Sequence, residues 1–233
     1  MKAVVLAAGL GKRLAAITVD KPKVLVRIRD KTLIEHNLTK LRNLGIKEIA
    51  VVVGYEGEMV RELVGSSVTY FEQRERLGTA HAFLQAKDFV DEPFFLGING
   101  DMFFTDPLTD FIKLKPPAVA VYRVEDSSRY GRFDIKEGRV ISIREKSAEA
   151  TPGFINAGVY LFPKEVFMYI EKTPLSPRKE YEVTDTIQMM INEGWKFRAY
   201  ELTGFWRDIA YPVDIEEAQK ALSQVKSSRK TDV

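Results

Sequence analysis

Apolar, β-branched runs alternate with more polar segments along the first half of the chain. Four of these runs predict β-strands, at residues 3–7, 48–53, 68–71 and 94–98. The segments between them predict helices, at residues 33–44, 59–64 and 79–87. The resulting β-α-β-α-β-α-β order is typical of a parallel, doubly wound sheet with helices on both faces.

Local residue types support the ends of these helices. In segment 33–44 the apolar residues keep helical spacing, and Gly45 follows as a candidate C-cap. Segment 59–64 is short and ends at a glycine. Segment 79–87 begins with Thr79, a residue type that favours the N-cap position. We therefore predict that all three segments are helices between strands.

The second half of the chain is richer in predicted strands. These are at residues 119–124, 131–136, 139–144 and 156–162, with a Glu-Gly hairpin signal at 137–138. Further helices are predicted at residues 164–171, 184–193 and 213–225. We expect one α/β domain over residues 1–227, with a frayed polar tail at 228–233. Its fold is predicted to be a Rossmann-like, doubly wound mixed sheet, mostly parallel, with a small β-hairpin lobe.

Composition excludes several classes of protein. The 233 residues suit a single domain, and 35 basic against 33 acidic residues leave a net charge of only +2. No apolar run approaches the length of a membrane span, and a strand pattern begins at once without a signal peptide. Cysteine is absent, which excludes disulfides and thiolate metal sites. We therefore expect a cytoplasmic protein that binds neither nucleic acid nor a membrane.

The first predicted strand runs into the sequence LAAGLGKRL at residues 6–14. A glycine-rich turn after a strand lets backbone N–H groups approach phosphate oxygens. The dinucleotide fingerprint does not fit, because Leu14 stands at its third glycine and Pro22 follows too soon for a full crossover helix. The P-loop does not fit either, because Leu6 stands at its first glycine and Arg13 follows the lysine. The motif predicts another kind of phosphate loop, with a tight turn bearing solvated basic residues as the alternative.

A second basic motif, Lys21-Pro22-Lys23, follows the glycine-rich segment. Proline fixes the backbone and aims the lysine that comes after it. By itself the motif is typical of a solvated loop. Together with Arg13, however, Lys23 places a second cation near the same strand end.

Further motifs follow in order along the chain. They read KTLIEHNL, LGIKEIAVVVGY, FEQRERLGTAHAF, INGDMFF, YGRF, REKSA, INAGVYLF, YEVTD and GFWRDIAYP. Together with LAAGLGKRL and DKPKVLV, they resemble the signature of the sugar-1-phosphate nucleotidylyltransferases, or NDP-sugar pyrophosphorylases, over nearly the whole chain. The resemblance implies attack of a sugar-1-phosphate oxygen on the α-phosphorus of a nucleoside triphosphate, with release of pyrophosphate.

This reaction needs positive charge more than it needs a base. A phosphate monoester has a second pKa near ~6, so the nucleophile is already ionised at neutral pH. Two polyanions must still be brought together in line, which requires cations and positioning. The resemblance implies catalytic roles for Arg13, Lys23 and Asp101, and it pairs Asp101 with Asp208 as the carboxylates that hold Mg²⁺.

The resemblance also implies binding residues for both substrates. Those for the nucleotide are Leu6, Ala8, Gly9, Gly11, Lys12, Arg13, Gln73, Gly78 and Thr79. Those for the sugar phosphate are Gly100, Gly131, Glu145, Lys146 and Asn156, so that the hairpin lobe binds the sugar. The Gln73 amide suits a base because it both donates and accepts, as the imide edge of uracil or thymine requires. We expect the nucleotide-binding part at about residues 1–115 and the sugar-binding part at about 116–227.

Several functions stay open at this point. The first hypothesis is an enzyme that uses UTP or dTTP with glucose 1-phosphate, which Gln73 and segment 182–185 favour. The alternative within the family is a mannose-1-phosphate guanylyltransferase. Alternatives outside it are a catalytically silent regulatory homologue, which would have lost the charged residues, and a metal-dependent glycosyltransferase, which would place two acids one residue apart. The sequence leaves open whether the chain forms a homo-oligomer.

Two details concern residues beside these motifs. Ala210-Tyr211 stand where the family has Gly-Thr, and the loss of that glycine can alter the backbone next to Asp208. The two histidines, His36 on a polar helix face and His81 inside the third predicted helix, are assigned no functional role.

Overall fold

The computed structural model describes residues 1–9, 21–144 and 151–231. The strands are β1 Lys2–Ala7, β2 Arg27–Ile28, β3 Lys31–Thr32, β4 Ile49–Val53, β5 Thr69–Glu72, β6 Phe94–Asn99, β7 Met102–Phe104, β8 Ala118–Val124, β9 Arg132–Lys136, β10 Arg139–Arg144, β11 Gly153–Pro163, β12 Arg198–Glu201 and β13 Trp206–Asp208. The helices are α1 Leu33–Asn43, α2 Gly57–Val64, α3 Thr79–Leu84, α4 Val166–Ile170, α5 Val183–Asn192 and α6 Pro212–Thr231. The predicted α/β class is confirmed.

Most of the strands join one mixed sheet, in the order β5-β4-β1-β6-β11-β8-β12-β10-β9. From β5 to β6 neighbouring strands are parallel. Beyond β6 they pair antiparallel, except for β8 with β12. The expectation of a mostly parallel sheet is therefore wrong for the second half. The reason is that no helix separates β8 from β11 in the described part of the chain, so these strands return without crossovers.

Both faces of the parallel strands are covered by helices. On β1 the side chains of Ala3, Val5 and Ala7 join a core cluster with α1, whereas Val4 and Leu6 join a cluster with α3, α4 and α5. All of these side chains are buried. This burial on both faces explains why the predicted strands read as continuous apolar runs rather than as alternating patterns.

Helix α1 begins with a capping box. Thr32 Oγ1 accepts from the Glu35 backbone N–H, and the Glu35 carboxylate accepts from the Thr32 backbone N–H at 2.7 Å. On the buried side of this helix, Asn37 Nδ2 donates to the Gly100 carbonyl oxygen at 3.1 Å. Helix α1 therefore fixes the turn that carries Asp101.

The start of α3 differs from the prediction. Its N-cap is Gly78, not Thr79. The Thr79 hydroxyl instead accepts from the Val183 backbone N–H at 3.0 Å, at the start of α5. The Thr79 hydroxyl, which the local pattern assigned to capping α3, thus forms a tertiary hydrogen bond with Val183.

The end of α6 also differs from the prediction. The helix continues to Thr231, beyond the predicted end at residue 225, and the frayed tail expected at 228–233 stays a prediction. Lys, Ser and Arg follow one another there without glycine or proline, so the backbone has no local reason to leave the helix. No helix in the described ranges is both long enough and apolar enough to cross a membrane.

The predicted hairpin is present as β9 and β10. Its turn residues Glu137 and Gly138 both have positive φ, 52° and 70°, as short hairpin turns require. Strand β9 also pairs with β11, and β10 pairs with β12. The hairpin therefore extends the edge of the main sheet.

Candidate active site

A cleft opens at the carboxyl ends of β1 and β6 and encloses about 770 Å³. The predicted site residues that line it are Leu6, Ala8, Gly9, Lys23, Gln73, Gly78, Thr79, Asp101, Gly131, Asn156 and Asp208. Gly100 lies buried beside it, with its N–H donating to the Leu6 carbonyl oxygen at 2.8 Å. Motifs that are far apart in the sequence thus meet at the sheet edge where open α/β folds bind ligands.

Lys23 lies between two carboxylates in this cleft. Its Nζ is 2.9 Å from Asp101 Oδ2 and 2.6 Å from Asp208 Oδ1, and its side chain is only 10% exposed. It belongs to a short 3₁₀ turn that follows Pro22, whose φ of −56° directs the chain into the cleft. Both carboxylates reach the same ammonium group, so one cation can contact both.

The protonation states of this cluster follow from burial and charge. Burial by itself lowers the pKa of Lys23, but the Asp101 and Asp208 carboxylates raise it by more, and the net shift is upward. Burial, together with repulsion from Asp101, raises the pKa of Asp208 despite the nearby ammonium. Lys23 is therefore protonated at neutral pH, and its single positive charge is shared by two acids.

This donor set fits a hard divalent cation. Carboxylate oxygens are the ligands that Mg²⁺ prefers, and Mg²⁺ usually keeps several waters and binds substrate phosphates. Among the residues that the structure describes, no three His, Cys, Asp or Glu side chains converge to hold a metal. Asp101 and Asp208 therefore suit an ion that completes its coordination with water and phosphate oxygens.

A two-stranded ribbon brings the two aspartates together. Strands β7 and β13 pair antiparallel, with Asp208 opposite Met102. The Ile209 backbone N–H adds a bond to the Asp101 carbonyl oxygen at 3.3 Å. The sequence did not predict these short strands, because each pairs with a distant segment of the chain.

The loop after β7 is braced against the loop before β13. Asp106 Oδ1 accepts from the backbone N–H groups of Thr203 at 2.9 Å and Gly204 at 3.1 Å. Thr105 Oγ1 accepts from the Phe205 backbone N–H at 2.9 Å. A Cβ on Gly204 would lie 2.5 Å from Thr105 Oγ1, so this approach requires glycine. The brace holds β13, and with it Asp208, in register.

We expect Asp106→Asn to weaken the use of Mg²⁺ without abolishing activity. The amide has one oxygen that can accept, and its NH₂ group takes the place of the other carboxylate oxygen. This NH₂ donor then faces backbone N–H donors, and the mismatch costs about 1–3 kcal/mol. The KM for Mg²⁺ should rise about fivefold or more while the KM for the nucleotide changes little. Asp110→Asn is the matched control, because the Asp110 carboxylate is exposed and pairs with the exposed Lys113 side chain. Equal Mg²⁺ titrations of both variants would contradict a positioning role for Asp106.

Gln73 and Gly78 form a polar edge elsewhere in the cleft. Gln73 is only 5% exposed, and its Nε2 donates to the Gly78 carbonyl oxygen at 3.0 Å. Gly78 has a φ of +100°, and a Cβ there would lie 2.5 Å from the Tyr181 carbonyl oxygen. Only glycine fits both constraints. The turn before α3 is therefore packed directly on the loop before α5.

A polar network lies between β6 and β11. Asn156 Nδ2 donates to the Tyr160 hydroxyl at 2.7 Å, and Asn156 Oδ1 accepts from the Gly158 backbone N–H at 2.9 Å. Burial raises the pKa of Tyr160, so the hydroxyl stays protonated. Asn99 Oδ1 is buried and has no hydrogen-bond partner among the described residues. Sequence reasoning missed Asn99, although it directly precedes the Gly100-Asp101 pair in INGDMFF.

Two further charged residues of the cleft were not among the predicted site residues. Glu182 is 7% exposed, and burial raises the pKa of its carboxyl. Arg178 Nη2 lies 2.7 Å from Glu182 Oε1, although the pair is not aligned for a hydrogen bond. The YEVTD motif was the available signal for Glu182. Both side chains line the cleft on the loop before α5.

The backbone after Asp208 tolerates the departure at Ala210. Ala210 is not among the described residues with positive φ, so this position does not need glycine. Asp214 Oδ2 accepts from the backbone N–H groups of Ala210 at 2.8 Å and Tyr211 at 2.6 Å. Asp214, near the start of α6, therefore holds the segment that follows the metal-ligand candidate.

Comparison with known proteins decides the family. Residues 2–225 match the family model described as nucleotidyl transferase. The chain belongs to the nucleotidyl transferase family. The resemblance inferred from the motifs is thereby confirmed, and so is the assignment as an enzyme.

Two curated proteins are similar to this nucleotidyl transferase over most of its length. It is 39% identical to the bifunctional protein GlmU of Methanocaldococcus jannaschii, over 95% of this chain and 54% of the relative. It is 36% identical to the UTP–glucose-1-phosphate uridylyltransferase AglF of Haloferax volcanii, over 96% of this chain and 97% of the relative. The chain thus spans about half the length of the bifunctional relatives.

Solved structures confirm the fold. A Bacillus anthracis protein called a glucose-1-phosphate thymidylyltransferase, in complex with sucrose, superposes with a TM-score of 0.86 at 29% identity over 94% of each chain. A UDP-glucose pyrophosphorylase complexed with UDP-glucose superposes with a TM-score of 0.84 at 22% identity, over 96% of this chain and 98% of that one. The second likeness shows the fold alone.

Some predicted site residues of this nucleotidyl transferase lie outside the described residues. They are Gly11, Lys12, Arg13, Glu145 and Lys146. Their roles stay predictions, as does the role of Gly100 in binding a sugar.

Proposed function

We propose that this nucleotidyl transferase transfers a uridylyl or thymidylyl group from UTP or dTTP to a sugar 1-phosphate, with glucose 1-phosphate as the first candidate. The observation that carries the proposal is Lys23 between Asp101 and Asp208, in the same cleft as the Gln73–Gly78 edge. The similarity to AglF along nearly its full length supports UTP and glucose 1-phosphate. We place the nucleotide in the part before about residue 115 and the sugar in the part after it.

The reaction forms one bond at phosphorus and breaks another. An oxygen of the sugar phosphate attacks the α-phosphorus, and the bond from that phosphorus to the β-phosphate bridging oxygen breaks. The products are the NDP-sugar and pyrophosphate. The attacking oxygen is already ionised, so the protein needs no general base. Its work is to hold two anions in line and to offset their charge.

Lys23 would neutralise the α-phosphate during transfer. Its ammonium is protonated and lies in the cleft beside Asp101 and Asp208, so the positive charge is at the site before a phosphate arrives. We propose that Arg13 acts in the same way at the β- and γ-phosphates, as the family resemblance implies.

We propose that Asp101 and Asp208 hold Mg²⁺. When bound, Mg²⁺ supplies positive charge that stabilises the phosphate oxygens. The protein's part is to keep the two carboxylates on one point, which the β7–β13 ribbon and the Asp106 brace achieve.

We propose that the sugar phosphate lies on the side of the cleft formed by β9 and β11. Gly131 and Asn156 line this side, and the resemblance adds Glu145 for a hydroxyl and Lys146 for the phosphate. Carboxylate and amide groups suit the recognition of sugar hydroxyls because they accept and donate hydrogen bonds.

The test is pyrophosphate release with Mg²⁺ across UTP, dTTP, GTP, CTP and ATP, each paired with the 1-phosphates of glucose, N-acetylglucosamine and mannose. Release that requires both substrates, and is fastest with UTP or dTTP, would support the proposal. Release with GTP and mannose 1-phosphate alone would favour the guanylyltransferase alternative. Silence of folded protein that still binds a nucleotide would favour the regulatory alternative.

A further inference from the structure

The amide of Gln73 is held in one orientation. A carbonyl oxygen only accepts hydrogen bonds, so the Gly78 carbonyl at 3.0 Å must face the amide nitrogen and not the amide oxygen. The same nitrogen lies 3.0 Å from Nδ1 of His81. An amide nitrogen has two N–H donors, and here each has an acceptor. The amide oxygen is left as the atom that can bind a ligand, and no described group donates to it.

His81 supplies the second of these acceptors. It lies on α3, between Gln73 and Gln85, with its ring 6.4 Å from that of Tyr181. For Nδ1 to accept from Gln73, the neutral ring must carry its proton on Nε2. The half-buried Gln85 amide nitrogen lies 3.2 Å from Nε2 and donates to the His81 carbonyl oxygen at 3.0 Å, which fixes the orientation of that amide. Both amides are thus oriented by a backbone carbonyl, and Nδ1 of His81 is the acceptor for the second N–H of Gln73.

The orientation of Gln73 selects among bases. Uracil and thymine present an N3–H donor, which complements the Gln73 amide oxygen as a hydrogen-bond acceptor. Cytosine presents the reverse pattern, a bare N3 acceptor beside an amino group. A cytosine ring in the same place would set its N3 lone pair against the lone pairs of the Gln73 oxygen, and both atoms would be left without a hydrogen bond.

We propose that His81 is a positioning residue that holds the Gln73 amide as a hydrogen-bond acceptor and so makes the enzyme discriminate uracil or thymine against cytosine. This proposal rests on the proposed function, because it assumes that Gln73 contacts the base. It assigns His81 a role that the sequence pattern did not indicate. The ligand selected is a base with a ring N–H beside a carbonyl group. Guanine has the same pair of groups, so CTP is the competitor that tests the proposal.

Two conservative variants test the role of Nδ1. Asparagine at position 81 can place its amide oxygen near the position of Nδ1, whereas glutamine reaches the position of Nε2 and leaves Nδ1 unreplaced. We expect His81→Asn to keep the ratio of kcat/KM for UTP to that for CTP within about threefold of the wild type. We expect His81→Gln to lower the ratio about tenfold, because the Gly78 carbonyl alone then holds the Gln73 amide, which can more readily turn its nitrogen to the base. Gln85→Met is the matched control, and its ratio should stay within twofold.

The same variants are also titrated with UTP and CTP by calorimetry, with the KM for the sugar 1-phosphate and the melting temperature measured in parallel. A selective loss of UTP preference in His81→Gln, with sugar KM and melting temperature unchanged, would support the proposal. Equal ratios in all variants would overturn it, and so would equal losses in His81→Asn and His81→Gln. Wild-type protein that binds UTP over CTP but releases no pyrophosphate would overturn the proposed function, while the binding ratios would still decide the role of His81. Wild-type protein that binds neither nucleotide preferentially would overturn the inference.

Discussion

Asp101→Asn is expected to lower kcat at saturating Mg²⁺ and substrates by about 10²- to 10³-fold. Asparagine keeps the shape of the side chain but removes one of the two negative charges that converge on Lys23. A neutral amide is a weaker ligand for Mg²⁺ than a carboxylate, so the ion would be held by Asp208 alone. Steady-state pyrophosphate release measures the loss.

Two further measurements make this prediction specific. Asp110→Asn, on an exposed aspartate whose partner is Lys113, should leave kcat within twofold of the wild type. Titration of the nucleotide complex with Mn²⁺ should show weaker metal binding for Asp101→Asn but not for Asp110→Asn. Normal Mn²⁺ affinity with normal kcat in Asp101→Asn would remove Asp101 from the metal site.

Lys23→Met is expected to lower kcat about 10²-fold or more and to destabilise the folded protein as well. The variant leaves two nearby carboxylates without the ammonium that they share. Breaking a fully buried ion pair costs about 3–5 kcal/mol, but Asp101 and Asp208 are 39% and 22% exposed, so about 1–3 kcal/mol is expected here. Thermal unfolding without metal measures this cost.

Mg²⁺ should restore much of the stability that Lys23→Met loses. In the wild type the Lys23 ammonium occupies the point on which both carboxylates converge, so a divalent cation must displace it. The variant has no ammonium there, and the cation can bind at that point directly. Millimolar Mg²⁺ should therefore raise the melting temperature of the variant more than that of the wild type. Lys113→Met, at an exposed lysine, should respond to Mg²⁺ like the wild type. An equal response of all three proteins would mean that Lys23 does not share its site with the metal.

Local sequence was sufficient for the elements that carry their own signal. Strands β1, β4 and β6 were predicted because both of their faces are buried, which makes them continuous apolar runs. Helix α1 was predicted because one stripe of its side chains faces the core. The hairpin of β9 and β10 followed from Glu137-Gly138, since only a few residue pairs adopt positive φ at both positions.

Elements whose partners are distant in the sequence escaped prediction. Strands β7 and β13 have three residues each, too few for a periodic pattern, and they are strands only because they pair with each other. Strand β12 was missed as well, and its parallel partner is β8. Thr79 was predicted to be the N-cap of α3. The local pattern could not show that its hydroxyl accepts from the Val183 backbone N–H instead.

For the site, the order of motifs determined the family and the types of residue that the chemistry needs: cations for phosphates, paired acids for a metal, and an amide for the base. Tertiary structure alone decided the arrangement of these groups. It placed Lys23 between Asp101 and Asp208, which follow it in the sequence by 78 and 185 positions. It also set the Gln73 amide against Gly78 and His81, which turned a histidine without an assigned role into a candidate determinant of base choice. The reason is physical: residue type sets which bonds a side chain can form, whereas the packed fold decides which of those bonds are made.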